Sequence, residues 1–350
     1  MSIPKVDSFK VLNLGKNNLS GSIPDTFPLS CSLQVLDFSS NILERKVLTS
    51  LERCTFLKVL DVGKNKIRDT LPYMLAKLPS LHVLGLRSNK FHGNLQFPIA
   101  NQTWPRLQIV DISFNNFKGA LIPQYFSNWE DQYLNVEDLN IYYQARMVVV
   151  LKGREMEIVN ILEAFTSIDF SCNNFQGEIP EVVGDLKLLY LLNLSHNALT
   201  GRIPKALGKL NQLESLDLSV NQLSGKISDE LVGLTFLSFL NISFNQLSGR
   251  IPRGNQFHMF SVDSFDGNTG LCDFPLKKTC SGDTNVNGLL QPNNHSEHEI
   301  DGKYIISFAL GSSVSFSIII WLLLHSRRYN EFIDRLIFRI FGQHKKEWQD

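Results

Sequence analysis

The 350-residue chain has no surplus charge of either sign: 34 basic and 34 acidic residues leave a formal net charge of zero. No basic block precedes residue 304, so the electrostatic footprint of a nucleic-acid binder is missing. Eight histidines occur, yet none falls in metal-ligand spacing. No nucleophile elbow or clustered acid pair stands out beyond a recurring pattern. These gaps argue against an enzyme and imply no cofactor. An apolar leader is also missing, because "MSIPKVDSFKVLNL" runs at once into patterned sequence. The expectation from that start is an N-terminally truncated product lacking its leader, an N-terminal cap and further repeats.

What is present is periodic. The pattern L-x-x-L-x-L-x-x-N-x-L places Asn17, Asn41, Asn65 and Asn89 at intervals of 24 residues, then Asn115, then Asn173, Asn197, Asn221 and Asn245 at 24 again. Self-similarity at this period is the signature of a leucine-rich-repeat solenoid. Within "LESLDLSVNQL", Leu213, Leu216, Leu218 and Leu223 should point inward, while Ser215, Asp217 and Ser219 alternate outward along a short strand. One repeat cannot bury its leucines alone, so neighbours must stack. The Asn should satisfy backbone groups freed where the chain turns. Most repeats then carry "LSGxIP"-type segments, in which Gly permits a backbone conformation closed to other residues and Pro fixes an extended one. The predicted class is an α/β leucine-rich-repeat solenoid with a parallel sheet on the concave face, an irregular or 3-10 convex side, and one transmembrane helix.

The period breaks once at length: 58 residues separate Leu107 from Phe165. That defines about five repeats over 1–123, an island at 124–163 and four repeats over 164–260. The island is too apolar around Tyr142, Tyr143 and Met147–Leu151 for a disordered linker, so it is expected to pack against the concave face. A cap at 261–281 holds Cys272 and Cys280. A disulfide is the expected clamp there, which needs an oxidising compartment, with two free thiols as the alternative. Cys31 and Cys54 each precede a repeat's first Leu, where a small packed residue fits. Cys172 should face outward beside Asn173, and nothing nearby makes it a nucleophile.

An acidic linker follows at 282–303. Tyr304–Leu324 forms 21 residues without a charge, a helix of roughly 30 Å that matches a bilayer core. Acidic residues precede it, whereas Arg327, Arg328, Arg335 and Arg339 follow, so the tail at 325–350 is placed in the cytosol. The expected arrangement is single-pass type I at the plasma membrane, with the repeats extracellular. N-glycosylation sequons begin at Asn18, Asn101, Asn193, Asn241 and Asn294, all before the span. Ser307, Gly311 and Ser315 recur every four residues and give the helix a small-residue face suited to close helix pairing; a helix without a partner is the alternative. The tail segment with Phe332, Ile333, Leu336, Ile337 and Ile340 suits a helix lying on the inner leaflet or docked to a partner.

These repeats, the Tyr-rich island, four closing repeats, a Cys-pair cap and a short tail together resemble plant leucine-rich-repeat receptor-like proteins. The likeness is to the immune branch, similar to tomato receptors against fungal pathogens and the receptor-like protein 12 group. The most specific segment is "YYQARMVVVLKGREMEIVNILEAFTSIDFS", with Tyr143 and then Lys152-Gly153. The resemblance implies a receptor for an extracellular, pathogen-derived protein or peptide in plant defence. It also implies signalling through partners: an adaptor receptor-like kinase at the transmembrane helix and a co-receptor kinase ectodomain at the last four repeats. Only 26 residues follow the span, far short of a kinase domain. A developmental receptor of the same architecture, or a non-signalling decoy, are the alternatives. Asp273 departs from the Gly usual after the first cap Cys.

For ligand contact, the outward strand positions Lys16, Lys64, Arg87, Asp111, Asp169, His196, Asp217 and Phe239 are the default candidates. Most of these positions are ordinary repeat consensus. The island's Tyr143, Lys152 and Gly153 are stronger, because no periodic constraint explains them.

Overall fold

The computed structural model describes residues 9–280 apart from 24, 48, 96–106, 127–141, 163–164 and 255. The predicted juxtamembrane linker, membrane helix with Ser307, Gly311 and Ser315, and cytoplasmic tail therefore lie outside the described residues, as do Asn101 and Asn294.

Each repeat contributes a three-residue strand, because the alternation of leucines lasts only that long before the chain turns. Nine such strands, from Val11–Asn13 to Phe239–Asn241, form one parallel sheet in chain order. The register advances by whole repeats: Leu36 pairs with Leu60, Leu60 with Leu84, and Leu84 with Val110. The long insertion leaves the sheet intact, since Ile109–Asp111 pairs directly with Ser167–Asp169. Inward residues carry the core: Leu213, Leu216, Leu218 and Leu223 are all fully buried. Each such side chain contributes roughly 1.5–3 kcal/mol.

The Asn ladder links the coils. Asn41 Nδ2 faces the carbonyl oxygens of Leu14, Phe38 and Ser39 at 2.9, 3.0 and 3.2 Å, while its Oδ1 accepts from Leu19 N at 2.9 Å. The same set recurs at Asn65 through Asn245. It continues into the cap, where Asn268 donates to Ile242 O and accepts from Leu247 N. The cap is thus a partial further coil, and Gly270–Cys272 pairs in parallel with Gln246–Arg250. Cys272 and Cys280 are joined, with Cα atoms 5.1 Å apart.

Beyond the Asn, the "LSGxIP" segments build a second, four-stranded parallel sheet from His92–Asn94 to Ala198–Thr200. Gly177 and Gly201 turn there at φ 80° and 77°, conformations that side chains disfavour. The convex side is completed by short 3-10 turns such as Glu181–Asp185 and Lys205–Lys209. The described residues contain no α-helix, and no helix among them is long and apolar enough to cross a membrane. The convex side is thus the irregular, 3-10 one expected, since each convex segment is too short for an α-helical nucleus to propagate.

Cys31 and Cys54 correct the sequence expectation. They form a disulfide with Cα atoms 4.8 Å apart, because one repeat period stacks the two positions on adjacent coils.

Candidate functional site

The insertion returns as a long antiparallel hairpin, Tyr142–Leu151 against Arg154–Leu162. Lys152 and Gly153 form its two-residue turn at φ 53° and 72°. Positive φ at both central positions matches the right-handed twist of the arms, and Gly adopts it freely. Val and Met on the arms give the hairpin an apolar side that cannot stay in water. Ala145, Met147, Val149 and Ile161 are buried against Val35, Val59, Val83 and Ile109, the first residues of four successive sheet strands. The hairpin thus lies on the concave face.

Charge fastens the hairpin along its length. Lys16 Nζ meets Glu157 Oε1 at 2.7 Å, and Lys64 Nζ meets Glu155 Oε2 at 3.3 Å. Arg87 Nη2 donates to Glu155 Oε1 at 2.5 Å, while Arg87 Nη1 stands 3.7 Å from Asp111 Oδ2 and 3.8 Å from Asp169 Oδ2. At the turn, Lys152 Nζ is 3.4 Å from Glu214, and Lys152 N donates to Ser215 Oγ at 3.3 Å. Gly153 rests on Phe239, where a Cβ would come within 3.1 Å of the ring. The exposed pairs contribute little individually, about 0–1 kcal/mol each. Arg87 differs because it is 5% exposed, beside two buried carboxylates.

The carboxylates register this environment. Burial pushes Asp111 and Asp169 upward, opposed by serine hydroxyls and by the Arg87 guanidinium. Burial alone would also raise Glu155, but Arg87 and Lys64 outweigh it and hold that carboxyl below its usual value. Asp111 Oδ2, Asp169 Oδ2 and Arg87 Nε have no hydrogen-bond partner among the described residues. Beside this cluster, Cys172 is half-buried and its thiol is pushed up, chiefly by burial, the opposite of what a nucleophile needs.

The candidate residues separate accordingly. Lys152, Gly153 and Phe239 come together at the hairpin tip, and Phe239 is half-buried beneath it. Tyr143 pairs through its backbone with Ile161. Lys16, Lys64 and His196 occupy the residue before each ladder Asn, at φ 56°, 52° and 53°; Lys16 and His196 are solvent-exposed and Lys64 is half-buried.

Several expected outward positions are corrected. Arg87 is no open ligand contact: it is buried under Glu155 and engaged with the sheet's own acids. Asp111 and Asp169 are 2% exposed and Asp217 is half-buried, because small side chains on strands one repeat apart cover one another. Asn193 is 5% exposed, and its Oδ1 accepts from Ser195 N and Oγ, so the folded sheet leaves no room for a glycan there. Asn241 is half-buried and takes the Ser243 hydroxyl at 2.7 Å, whereas Asn18 is exposed.

Between the hairpin and the first sheet strands remains a cavity of about 300 Å³, lined by Lys16, Asp37, Asp61, Lys64, Arg146 and Glu157 among others. Sequence reasoning missed it. Its one visible sign was Gly85, which interrupts an otherwise acidic or Asn position of the repeat.

Comparison with known proteins places the repeats. The family profile for "Leucine rich repeat" matches residues 163–223 and 189–247, and related repeat profiles match 8–29 and 53–70. Receptor-like protein 18 of Arabidopsis thaliana is 39% identical over 183 residues, covering 50% of this chain and 21% of the relative. Receptor-like protein 33 of the same plant is 46% identical over 190 residues, covering 51% and 21%. Over half its length the chain is similar to plant leucine-rich-repeat receptor-like proteins. It spans about a fifth of the length of these receptor-like relatives.

Solved structures agree on the fold of the chain. The ectodomain of the Arabidopsis thaliana receptor kinase GASSHO1/SCHENGEN3, bound to CASPARIAN STRIP INTEGRITY FACTOR 2, is 29% identical with a TM-score of 0.59, covering 80% of this chain and 32% of that one. PEPR1–AtPEP1 is 29% identical with a TM-score of 0.59, covering 77% and 37%. A plant ice-binding protein reaches a TM-score of 0.61 at 25% identity, covering 80% of each chain. The solenoid alone therefore does not fix a function.

Proposed function

We propose that this chain is a non-enzymatic receptor. It displays its repeats outside the plasma membrane, binds an extracellular protein or peptide, and signals in plant defence through partner kinases. The observation that carries the reading is the hairpin fastened across the concave sheet, with Lys152 at Glu214 and Gly153 on Phe239. A tip held in place on rigid strands presents a fixed recognition surface at small entropic cost on binding. Lys152, Gly153 and the exposed His196 form that surface together with Phe239, which supports the tip from below, and Tyr143, at the other end of the hairpin, is a separate candidate contact.

Signal transfer follows from the remaining sequence. Tyr304–Leu324 anchors the chain as a single-pass type I protein, and Ser307, Gly311 and Ser315 pair with an adaptor receptor-like kinase. The four repeats of 164–260 receive a co-receptor kinase ectodomain, and Asn18, Asn101, Asn241 and Asn294 accept glycans. The similar solenoid of a plant membrane receptor kinase ectodomain in complex with CASPARIAN STRIP INTEGRITY FACTOR 2 supports the ligand-binding part of this reading.

The test is to display the chain on plant cells and apply fractionated secreted microbial proteins. The expected result is a fraction that triggers an oxidative burst and co-precipitates the chain with a receptor kinase. Lys152→Glu should abolish the response at equal surface level. No response to any fraction, with expression confined to dividing tissue, would replace defence by development.

A further inference from the structure

The third residue of each sheet strand forms a column along the concave face. In register it reads Asn13, Asp37, Asp61, Gly85 and Asp111. Like charges one strand apart repel, so each needs compensation. Asp111 receives it from the Ser113 amide and hydroxyl and from Arg87. Among the described residues, Asp37 and Asp61 each accept one backbone amide, from Ser39 and Gly63 at 2.8 Å. Neither has an ion pair within 4 Å among the described residues, although they are 5% and 7% exposed.

Glycine makes the space these acids share. A Cβ at Gly85 would lie 2.7 Å from Asp61 Oδ1, and one at Gly15 would lie 2.8 Å from Asp37 Oδ2. Both carboxylates lean into room that only glycine leaves, and both line the cavity of about 300 Å³ beneath the hairpin. That volume is at the lower end of ligand pockets, roughly 300–1,000 Å³. Three of the four rim cations are committed, Lys16 to Glu157 and Lys64 and Arg87 to Glu155, while the exposed Arg146 acts on Glu157. Asp111, also in the wall, has Oδ2 buried without a hydrogen bond among the described residues, 3.7 Å from Arg87 Nη1. Burial, reinforced by Asp37, pushes the Asp61 carboxyl up to about 7, as happens to an acid short of counter-charge. No cluster of three or more metal-type ligands occurs among the described residues, so an inorganic cation is poorly served.

We propose that this cavity is a subsite for one organic cation, the guanidinium or ammonium group of a basic side chain in the polypeptide ligand, received by Asp37 and Asp61. The proposal rests on the receptor reading for the nature of the ligand. A carboxylate pair one strand apart suits the planar fork of an arginine, which bonds two acceptors at once.

The experiment uses the full-length chain in mild detergent and the probe acetyl-arginine methylamide, followed by saturation-transfer NMR. Its comparators are the citrulline and glutamate counterparts. Citrulline keeps the shape of arginine and removes the charge. Wild type should bind arginine at least tenfold more tightly than either comparator. Asp61→Asn should remove that preference without lowering the unfolding midpoint, since Asn already fills the equivalent position at Asn13, Asn193 and Asn241. Equal binding of arginine and citrulline, no binding of either, or an unchanged preference in Asp61→Asn would each overturn the subsite. Such a failure beside a productive response on displayed cells discards the subsite alone. Arginine binding without any response discards the receptor reading alone.

Discussion

Replacing Arg87 by Met is the most informative single change, because three carboxylates converge on one guanidinium. Its side chain is 6% exposed, against 2% for Asp111 and 3% for Asp169. Removing one partner of a buried ion pair costs roughly 3–5 kcal/mol, since the remaining charges stay desolvated and uncompensated. Lys64→Met removes an exposed pair to the same Glu155, and should cost below about 1 kcal/mol. The two substitutions therefore separate burial from charge counting. The sign of the pH dependence follows from the raised carboxyls. Without Arg87, Asp111 and Asp169 rise further above their unfolded values. A raised acid contributes stability at low pH that is lost as pH climbs through the folded value. The penalty of Arg87→Met should thus be smallest near pH 5 and largest near pH 8. Urea unfolding of wild type and both variants at the two pH values measures it. A loss below 1 kcal/mol, or one identical at both pH values, would refute this reasoning.

Three further outcomes can be checked independently. Gly153→Val combines a disfavoured φ of +72° with a Cβ within 3.1 Å of the Phe239 ring. It should speed hydrogen exchange of the hairpin tip at least tenfold while leaving the sheet strands protected. Non-reducing peptide mapping should recover Cys31 linked to Cys54, and reducing that bond should cost about 2–4 kcal/mol. Site-resolved glycan analysis of chain from a plant secretory system should find Asn18 occupied and Asn193 bare. A glycan on Asn193 would contradict the packing of the concave sheet.

Much of the fold was legible because one physical requirement repeats. Leucines at fixed spacing must share a core, and the ladder Asn must satisfy the turn, so strand positions followed directly from "LxLxxN". The island's concave packing was legible as well, from Met147 and its valine neighbours being too apolar for solvent. Less legible was anything set by neighbours one period away. Cys31 and Cys54 look like separate small residues until the coils stack them. Arg87 looks like an outward consensus position until a hairpin more than sixty residues later brings Glu155 over it. The alternation rule assigns each strand residue a face but is silent on what covers that face. For the same reason Asn193 carried a sequon and yet is buried. The cap was read as a terminator, whereas Asn268 extends the ladder, because its surrounding sequence lacks the leucine pattern.

The most direct test of the hairpin lying across the concave sheet is zero-length carbodiimide cross-linking, which joins amines to carboxylates already in contact. Mass spectrometry should recover Lys16 joined to Glu157 and Lys152 joined to Glu214, pairs 2.7 and 3.4 Å apart. Lys205 joined to Glu230, 3.6 Å apart between neighbouring repeats, serves as the internal reference. Recovery of the reference link with neither hairpin link would contradict the account.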